Sequence, residues 1–221
     1  MCGFDLFLVG IFNVKYKLVI FDFDGTLADT FPWILSILDE VADKYKVKRI
    51  ERSELETFRT YDAGKLMKLH NVSLWKAAWI ARYIRSLMAK DIDQIRLFSG
   101  MECVLNDLVK KGATLALVSS NSFNNVCRVL GLQNVALIKY FECGVSLFGK
   151  QTKFNKILRK SGACPEETLC IGDEIRDFQA ARKSNLAFGA VAWGYTNFQA
   201  LVAESPQEIF TRVDEIVEKI A

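Results

Sequence analysis

Two aspartates, Asp22 and Asp24, follow directly on the apolar run Leu18-Val19-Ile20-Phe21. Such a run reads as a fully buried strand, so both carboxylates stand at its C-terminal end. Side chains repeat every second residue along a strand, so the two carboxylates face the same way. Gly25 then lets the backbone turn sharply. Two carboxylates crowded together repel unless a metal ion or a proton relieves them. Two more apolar runs end in polar clusters: Thr114–Val118 in Ser119, Ser120 and Asn121, and Thr168–Ile171 in Gly172, Asp173 and Glu174, with Asp177 close behind. Lys150 adds an ammonium group. Clustered carboxylates with water suit a hard cation such as Mg²⁺. A hydroxyl and an ammonium beside that ion suit phosphoryl oxygens, and a carboxylate can act as nucleophile in phosphoryl transfer.

The elements that must position these groups alternate. After Thr30 the spacing of Ile34, Ile37, Leu38, Val41, Ala42 and Tyr45 predicts an amphipathic helix, with Pro32 in its first turn. Helical spacing continues with interruptions from Leu66 to Met88, and no strand is read between Thr30 and Leu97. From Gly100 onward helices and strands alternate. Met101, Val104, Leu105 and Leu108 form a helix face that stops at Gly112. Val126, Val129 and Leu130 mark a helix ending at Gly131, and Phe141 to Val145 reads as a weaker strand. Phe154, Ile157 and Leu158 mark another helix, as do Phe178, Ala180 and Ala181. Phe188 to Val191 is expected to be the last core strand, before a terminal helix carrying Val213, Ile216, Val217 and Ile220. The fold class is therefore α/β, a Rossmann-like parallel sheet with helices on both faces. Ligands bind such sheets outside the C-terminal strand ends. If the three polar-ended strands are neighbours, their clusters share one cleft.

The division expected is an α/β core of residues 15–30 and 99–221, a helical insert of residues 31–98, and an N-terminal extension of residues 1–14. The chain has 221 residues, 51% apolar and 25% charged, which is the composition of a globular protein. Its 29 basic and 26 acidic residues leave a net charge of +3, too near neutral to argue for nucleic acid or an anionic membrane. No run approaches the roughly 20 apolar residues that span a bilayer. The six cysteines, Cys2, Cys103, Cys127, Cys143, Cys164 and Cys170, form no CxxC pair, and His70 is the single histidine. A Cys/His zinc site is disfavoured, and most of the cysteines are expected to be reduced core residues in a cytoplasmic protein.

The four motifs, in order, resemble those of the haloacid dehalogenase superfamily, over nearly the whole chain from about Lys15. Asp22-Phe23-Asp24-Gly25-Thr26-Leu27 with Asp29-Thr30 looks like its first motif. Leu115 to Ser119 looks like the second, Lys150 the third, and Gly172-Asp173-Glu174-Ile175-Arg176-Asp177 the fourth. The insert resembles the type 1 (C1) helical cap, and the pattern is most similar to phosphoglycolate-phosphatase-like members. The resemblance implies a Mg²⁺-dependent hydrolase of a small phosphorylated metabolite. Asp22 would be the nucleophile that takes the phosphoryl group. Asp24 would be acid to the leaving group and then base for water. Asp22, the Asp24 carbonyl and Asp173 would hold the metal, with Asp177 supporting it, and Ser119 and Lys150 would bind phosphoryl oxygens. Asp24 also favours phosphate esters over halides, since a halide leaves without a proton. A phosphomutase of the beta-phosphoglucomutase type, or a non-catalytic phosphate-binding relative, is the alternative. Asn185 and Ser99 depart from the family pattern, where Gly and Pro are frequent.

Substrate-binding candidates are Thr26, Ser120 and Asn121 in the core, with Arg59 and Lys65 as insert cations that would meet a substrate anion. Each has a plainer reading. Asp29 and Thr30 serve equally as helix caps, as does Asn121. Lys153 competes with Lys150 for the phosphate. Glu174 would touch a metal-bound water or orient a neighbour. His70 reads as a surface residue, and Trp193 lines the cleft or merely packs. The expected assembly is a monomer or a homodimer, with neither nucleic acid nor membrane as a partner.

Overall fold

In the computed structural model, which describes residues 14–144, 146 and 149–220, six strands form one parallel sheet. They are β1 Leu18–Phe21, β2 Thr114–Val118, β3 Ile138–Glu142, β4 Thr168–Gly172, β5 Ala187–Val191 and β6 Glu208–Phe210, in the spatial order β3-β2-β1-β4-β5-β6. The helices are α1 Phe31–Tyr45, α2 Leu55–Phe58, α3 Ala63–Leu69, α4 Leu74–Lys90, α5 Met101–Lys110, α6 Phe123–Leu137, α7 Lys150–Ser161, α8 Ile175–Lys183, α9 Phe198–Val202 and α10 Glu215–Ile220. The expected N-terminal extension (Val14 apart), Cys2 and Phe148 lie outside the described residues.

The period of two along each strand divides the core. Val19, Phe21, Leu115, Leu117, Leu169 and Ile171 pack on one face with Met101, Leu105 and Leu108 of α5 and with Ile216 and Ile220 of α10. Leu18, Ile20, Ala116, Val118, Cys170 and Phe188 pack on the other with Phe154 and Ile157 of α7 and with Phe178 and Ala181 of α8. Both faces of the central strands are thus covered, which is why they read as unbroken apolar runs. Strand order reverses between β1 and β4, and a ligand crevice is expected at that point, outside the C-terminal strand ends.

Helices α1 to α4 occupy the chain between β1 and α5. The two crossings between this helical block and the sheet run side by side: Asp29 N–H donates to the Arg96 carbonyl at 2.9 Å, and Phe98 N–H donates to the Leu27 carbonyl at 3.0 Å. Asp62 caps α3 by accepting from Lys65 N–H, and Ser73 caps α4 by accepting from Lys76 N–H. The start of α1 differs from expectation. Thr30 makes no side-chain cap bond and Asp29 is exposed, so Pro32 marks the first turn unaided.

Several other boundaries differ as well. The helix begun at Phe123 does break at Gly131 (φ 73°, ψ 162°), but helical turns resume as far as Leu137. The strand expected from Phe141 begins at Ile138 instead; it is an edge strand whose exposed Lys139 interrupts the apolar signal. Phe188–Val191 lies in β5, yet the short β6 follows it at the sheet edge. Of the cysteines, Cys170 alone among the described residues is buried; Cys103 and Cys164 are exposed, Cys127 and Cys143 half-buried. Asn185 takes the left-handed conformation (φ 55°) after α8, the role glycine often fills. No helix among the described residues is long and apolar enough to cross a membrane.

Candidate active site

Asp22 leaves β1 and Asp173 leaves β4, and these strands are neighbours at the reversal of strand order. Asp22 N–H continues the ladder by donating to the Ile171 carbonyl at 2.9 Å. The chain then folds over Phe23, whose carbonyl accepts from Leu27 and Ala28, both at 2.9 Å. Gly25 is required there twice over: its φ is +77°, and a Cβ would lie 2.3 Å from Asp173 Oδ2. Carboxylate oxygens of Asp22, Asp173 and Asp177 lie within 4.8 Å of one another, all three residues buried.

Lys150, at the start of α7, inserts its ammonium among them. Its Nζ stands 2.8 Å from Asp22 Oδ1 and 2.5 Å from Asp177 Oδ1, and Lys150 is 3% exposed. Burial alone would lower the lysine pKa, but Asp177 and Asp22 outweigh it and hold it above the ordinary value. Lys153 lies elsewhere and joins Lys156 and Lys160 around Glu142 at the end of β3. The two lysines are thereby separated: one reaches the aspartates, the other does not.

Burial, then the charges of Glu174, Asp22 and Asp177, push the Asp173 carboxyl well above the usual range. Burial likewise pushes Asp177 up to about 6, against the pull of Lys150. Both Asp177 oxygens are buried without an aligned hydrogen bond among the described residues. Three crowded oxygen donors that one ammonium only partly compensates fit a hard divalent cation.

Thr26 does not face the cleft. It is fully buried, and its hydroxyl donates to Asp173 Oδ1 at 2.9 Å, while Tyr195 N–H donates to Asp173 Oδ2 at 2.7 Å. The expected substrate contact is therefore a support for Asp173. Asn121 is also a support: its Nδ2 donates to both Asp24 oxygens at 3.1 and 3.2 Å, and its Oδ1 accepts from Asn125. Burial pushes the Asp24 carboxyl up to about 6, opposed by the Asn121 bond. Ser119 is fully buried beside this group, its Oγ accepting from Asn121 N–H at 2.9 Å.

A cleft of about 140 Å³ opens over Asp24 and is lined by Ser120, Asn121, Glu174, Arg176 and Tyr195 from the core, and by Trp33, Ile34, Arg85 and Met88 from the helical block. Arg59 and Lys65 are not among its walls. Arg59 donates through Nε to the Tyr195 carbonyl at 2.8 Å and through Nη2 to the Gly194 carbonyl at 3.0 Å, and it ties α2 to the loop after β5. Lys65 is exposed, its ammonium 3.4 Å from the centre of the Tyr61 ring. The insert cation that does enter is Arg85, whose Nη1 donates to the Ser120 carbonyl at 3.0 Å. It lies on the face of α4 that carries Ala81 and Met88, a spacing visible in sequence but shared by core residues. Arg176 sits inside the fourth motif, between Glu174 and Asp177, where a cation carries no separate sequence signal. Trp193 packs at 6.0 Å from Phe98 and donates to the Thr26 carbonyl, and the aromatic walls are instead Trp33 and Tyr195. His70 is half-buried beside Phe58 and is not among the cleft walls.

A parallel α/β sheet with paired aspartates at its central strand end, a lysine among them and an acidic loop next door defines a class of hydrolase. The chain belongs to the haloacid dehalogenase-like hydrolase family, whose model matches residues 19–191. It is similar to a phosphoglycolate phosphatase of Synechococcus elongatus, 26% identical over 203 residues, which are 91% of this chain and 96% of that protein. It is also similar to the pyrophosphatase PpaX of Oceanobacillus iheyensis, 22% identical over 212 residues, 92% of this chain and 96% of that one. Among solved structures, a haloacid dehalogenase-like family hydrolase from Streptococcus pneumoniae superposes with a TM-score of 0.74 at 18% identity, covering 92% of this chain and 98% of that chain.

Proposed function

We propose that the protein is a Mg²⁺-dependent phosphatase of small phosphomonoesters, of the phosphoglycolate-phosphatase-like kind. The observation that carries this reading is Lys150 Nζ lying between Asp22 and Asp177 while Asp24 faces the adjoining cleft. Asp22, the Asp24 carbonyl and Asp173, supported by Asp177, would hold the metal. Bound there, Mg²⁺ would neutralise the carboxylates and the phosphoryl oxygens.

The Asp22 carboxylate attacks phosphorus, and the bond from phosphorus to the ester oxygen breaks. The protonated Asp24 carboxyl gives its proton to that oxygen as it leaves. The aspartyl-phosphate so formed is then attacked by water, whose proton passes to Asp24, and inorganic phosphate departs with Asp22 restored. Lys150 and Ser119 neutralise and bind the phosphoryl oxygens throughout. Asn121 keeps Asp24 aimed, since its Oδ1 is itself held by Asn125 and its Nδ2 has one orientation available. The helical block acts as a cap that excludes water from the cleft. The substrate is a soluble metabolite, and the protein works as a monomer or homodimer.

Hydrolysis of an aryl phosphate, measured with Mg²⁺ and with a chelator, tests the reading. Undiminished turnover in chelator, or in Asp22→Asn, would overturn it.

A further inference from the structure

The amide that aims Asp24 is held by a residue that also grips the helical block. Asn125, in the first turn of α6, is 1% exposed, and its amide nitrogen serves two oxygens at once. It donates to Asn121 Oδ1 at 3.0 Å and to the backbone carbonyl of Arg85, in α4, also at 3.0 Å. Arg128, about one turn further along α6, repeats the grip by donating to the Ala89 carbonyl of α4 at 2.9 Å. In the opposite direction Arg85 Nη1 donates to the Ser120 carbonyl at 3.0 Å. A continuous chain of hydrogen bonds thus runs from α4 through Asn125 and Asn121 to the Asp24 carboxyl.

Backbone partners settle which way both amides point. The Arg85 carbonyl only accepts, so the end of Asn125 that meets it is the NH2 group. The Ser122 N–H only donates, and it lies 2.9 Å from Asn121 Oδ1. That oxygen therefore faces Ser122 and Asn125, and the Asn121 NH2 faces Asp24. A reversed Asn121 would set its oxygen against Asp24, where it would accept the proton that Asp24 is to give the leaving group.

We propose that Asn125 is a positioning residue through which docking of the helical block governs the proton transfer, its amide bridging the Arg85 carbonyl of α4 to the side chain that aims Asp24. This rests on the phosphatase reading and adds a control to it. With α4 docked, both hydrogens of the Asn125 amide are engaged and Asn121 is held by two donors. When α4 lifts, Asn125 loses its backbone acceptor and turns more freely, and Ser122 N–H alone is left to hold Asn121. The acid is then aimed while the cleft is covered and slackens as it opens. An amide that merely joined α4 to α6 would affect all substrates alike, whereas this role is selective for leaving groups that need a proton.

The test compares kcat/KM for p-nitrophenyl phosphate, whose leaving group scarcely needs a proton, with that for ethyl phosphate, whose leaving group does. Both are measured with Mg²⁺ on wild type, Asn125→Leu and Asn125→Asp. Asn125→Leu keeps the branched shape and removes both donors. Its ratio of aryl to alkyl kcat/KM is expected to rise about 10-fold over wild type, and hydrogen exchange of backbone amides in residues 74–90 is expected to quicken. Asn125→Asp should raise the ratio further, because its carboxylate accepts from the Asn121 NH2 and draws it from Asp24; this variant speaks where the first fails to fold. Equal losses on the two esters overturn the proposal. A raised ratio with unchanged exchange in residues 74–90 overturns it too, since Asn125 would then aim Asp24 without the helical block. A wild type that hydrolyses the aryl ester alone leaves no proton transfer for Asn125 to govern, and overturns it while the phosphatase reading stands. A wild type that hydrolyses neither ester overturns both.

Discussion

Arg59 Nε donates to the carbonyl oxygen of Tyr195 at 2.8 Å, and the N–H of the same Tyr195 donates to Asp173 at 2.7 Å. One peptide segment thus joins the helical block to the acidic cluster. The Tyr195 hydroxyl closes the loop, 2.6 Å from Thr30 Oγ1 at the entry to α1. Gly194 makes the approach possible, since a Cβ there would lie 2.0 Å from Asp173 Cβ.

Replacing Arg59 by Met should therefore loosen the block without touching the reacting groups. Losing charge-assisted bonds to two carbonyls costs about 1–2 kcal/mol, allowing for the partial exposure of the arginine. Limited proteolysis should cut faster within residues 46–74, and KM should rise more than kcat falls. An unchanged cleavage rate would show that the strap does not hold the block.

Asp22→Asn should lower kcat by about 10³-fold or more, while circular dichroism shows the fold retained. Asp24→Asn should be gentler on an aryl phosphate, whose leaving group scarcely needs a proton, and should cost about 10²–10⁴-fold on an alkyl phosphate. Equal losses on both esters would remove Asp24 from the proton transfer.

Lys150→Met leaves Asp22 and Asp177 facing each other without their cation. Breaking a buried ion pair from one side costs about 3–5 kcal/mol, relieved where another cation can enter. Thermal unfolding should show Mg²⁺ raising the midpoint of this variant more than that of wild type. Wild type itself should be stabilised by Mg²⁺ as RT ln(1 + [Mg²⁺]/Kd), and Asp173→Asn should lose that dependence.

Glu142 gives a pH signature away from the cleft. Burial would raise its pKa, but hydrogen bonds from Lys156, Lys153 and Lys160 prevail and depress it from 4.5 to about 2. A depressed folded-state value stabilises fully above the unfolded value of 4.5 and is lost as pH falls toward 2. The side chains of Lys153, Lys156 and Lys160 are 32%, 43% and 48% exposed, so screening reduces the contribution to roughly 1 kcal/mol. Glu142→Gln should be less stable than wild type at pH 7 in urea titrations, and the gap should close between pH 4.5 and pH 2.

Much of the core was legible because its signals are local. Leu18–Phe21, Thr114–Val118 and Thr168–Ile171 are buried on both faces, and a strand covered on both sides must be apolar throughout. The weaker elements were misplaced where that pressure relaxes. The edge strand β3 carries the exposed Lys139, and the three-residue β6 is too short to show a period. The cap reading of Thr30 failed because its hydroxyl is taken by Tyr195, 165 positions away.

The sequence by itself determined which groups end the central strands: Asp22 and Asp24, Ser119 and Asn121, Asp173 and Asp177. Strand periodicity and turn chemistry act over a few residues, so no distant contact was needed to place them. The tertiary structure decided which charged side chains meet there. Strand order made β1 and β4 neighbours and brought Lys150 rather than Lys153 to Asp22, while Thr26 was turned from the cleft to hold Asp173 and Asn121, on the cleft wall, was spent on Asp24. It also withdrew Arg59 and Lys65 and put Arg85 and Arg176 in their place. A long cation can reach several surfaces from one helix, and only the packing of that helix against the sheet selects among them.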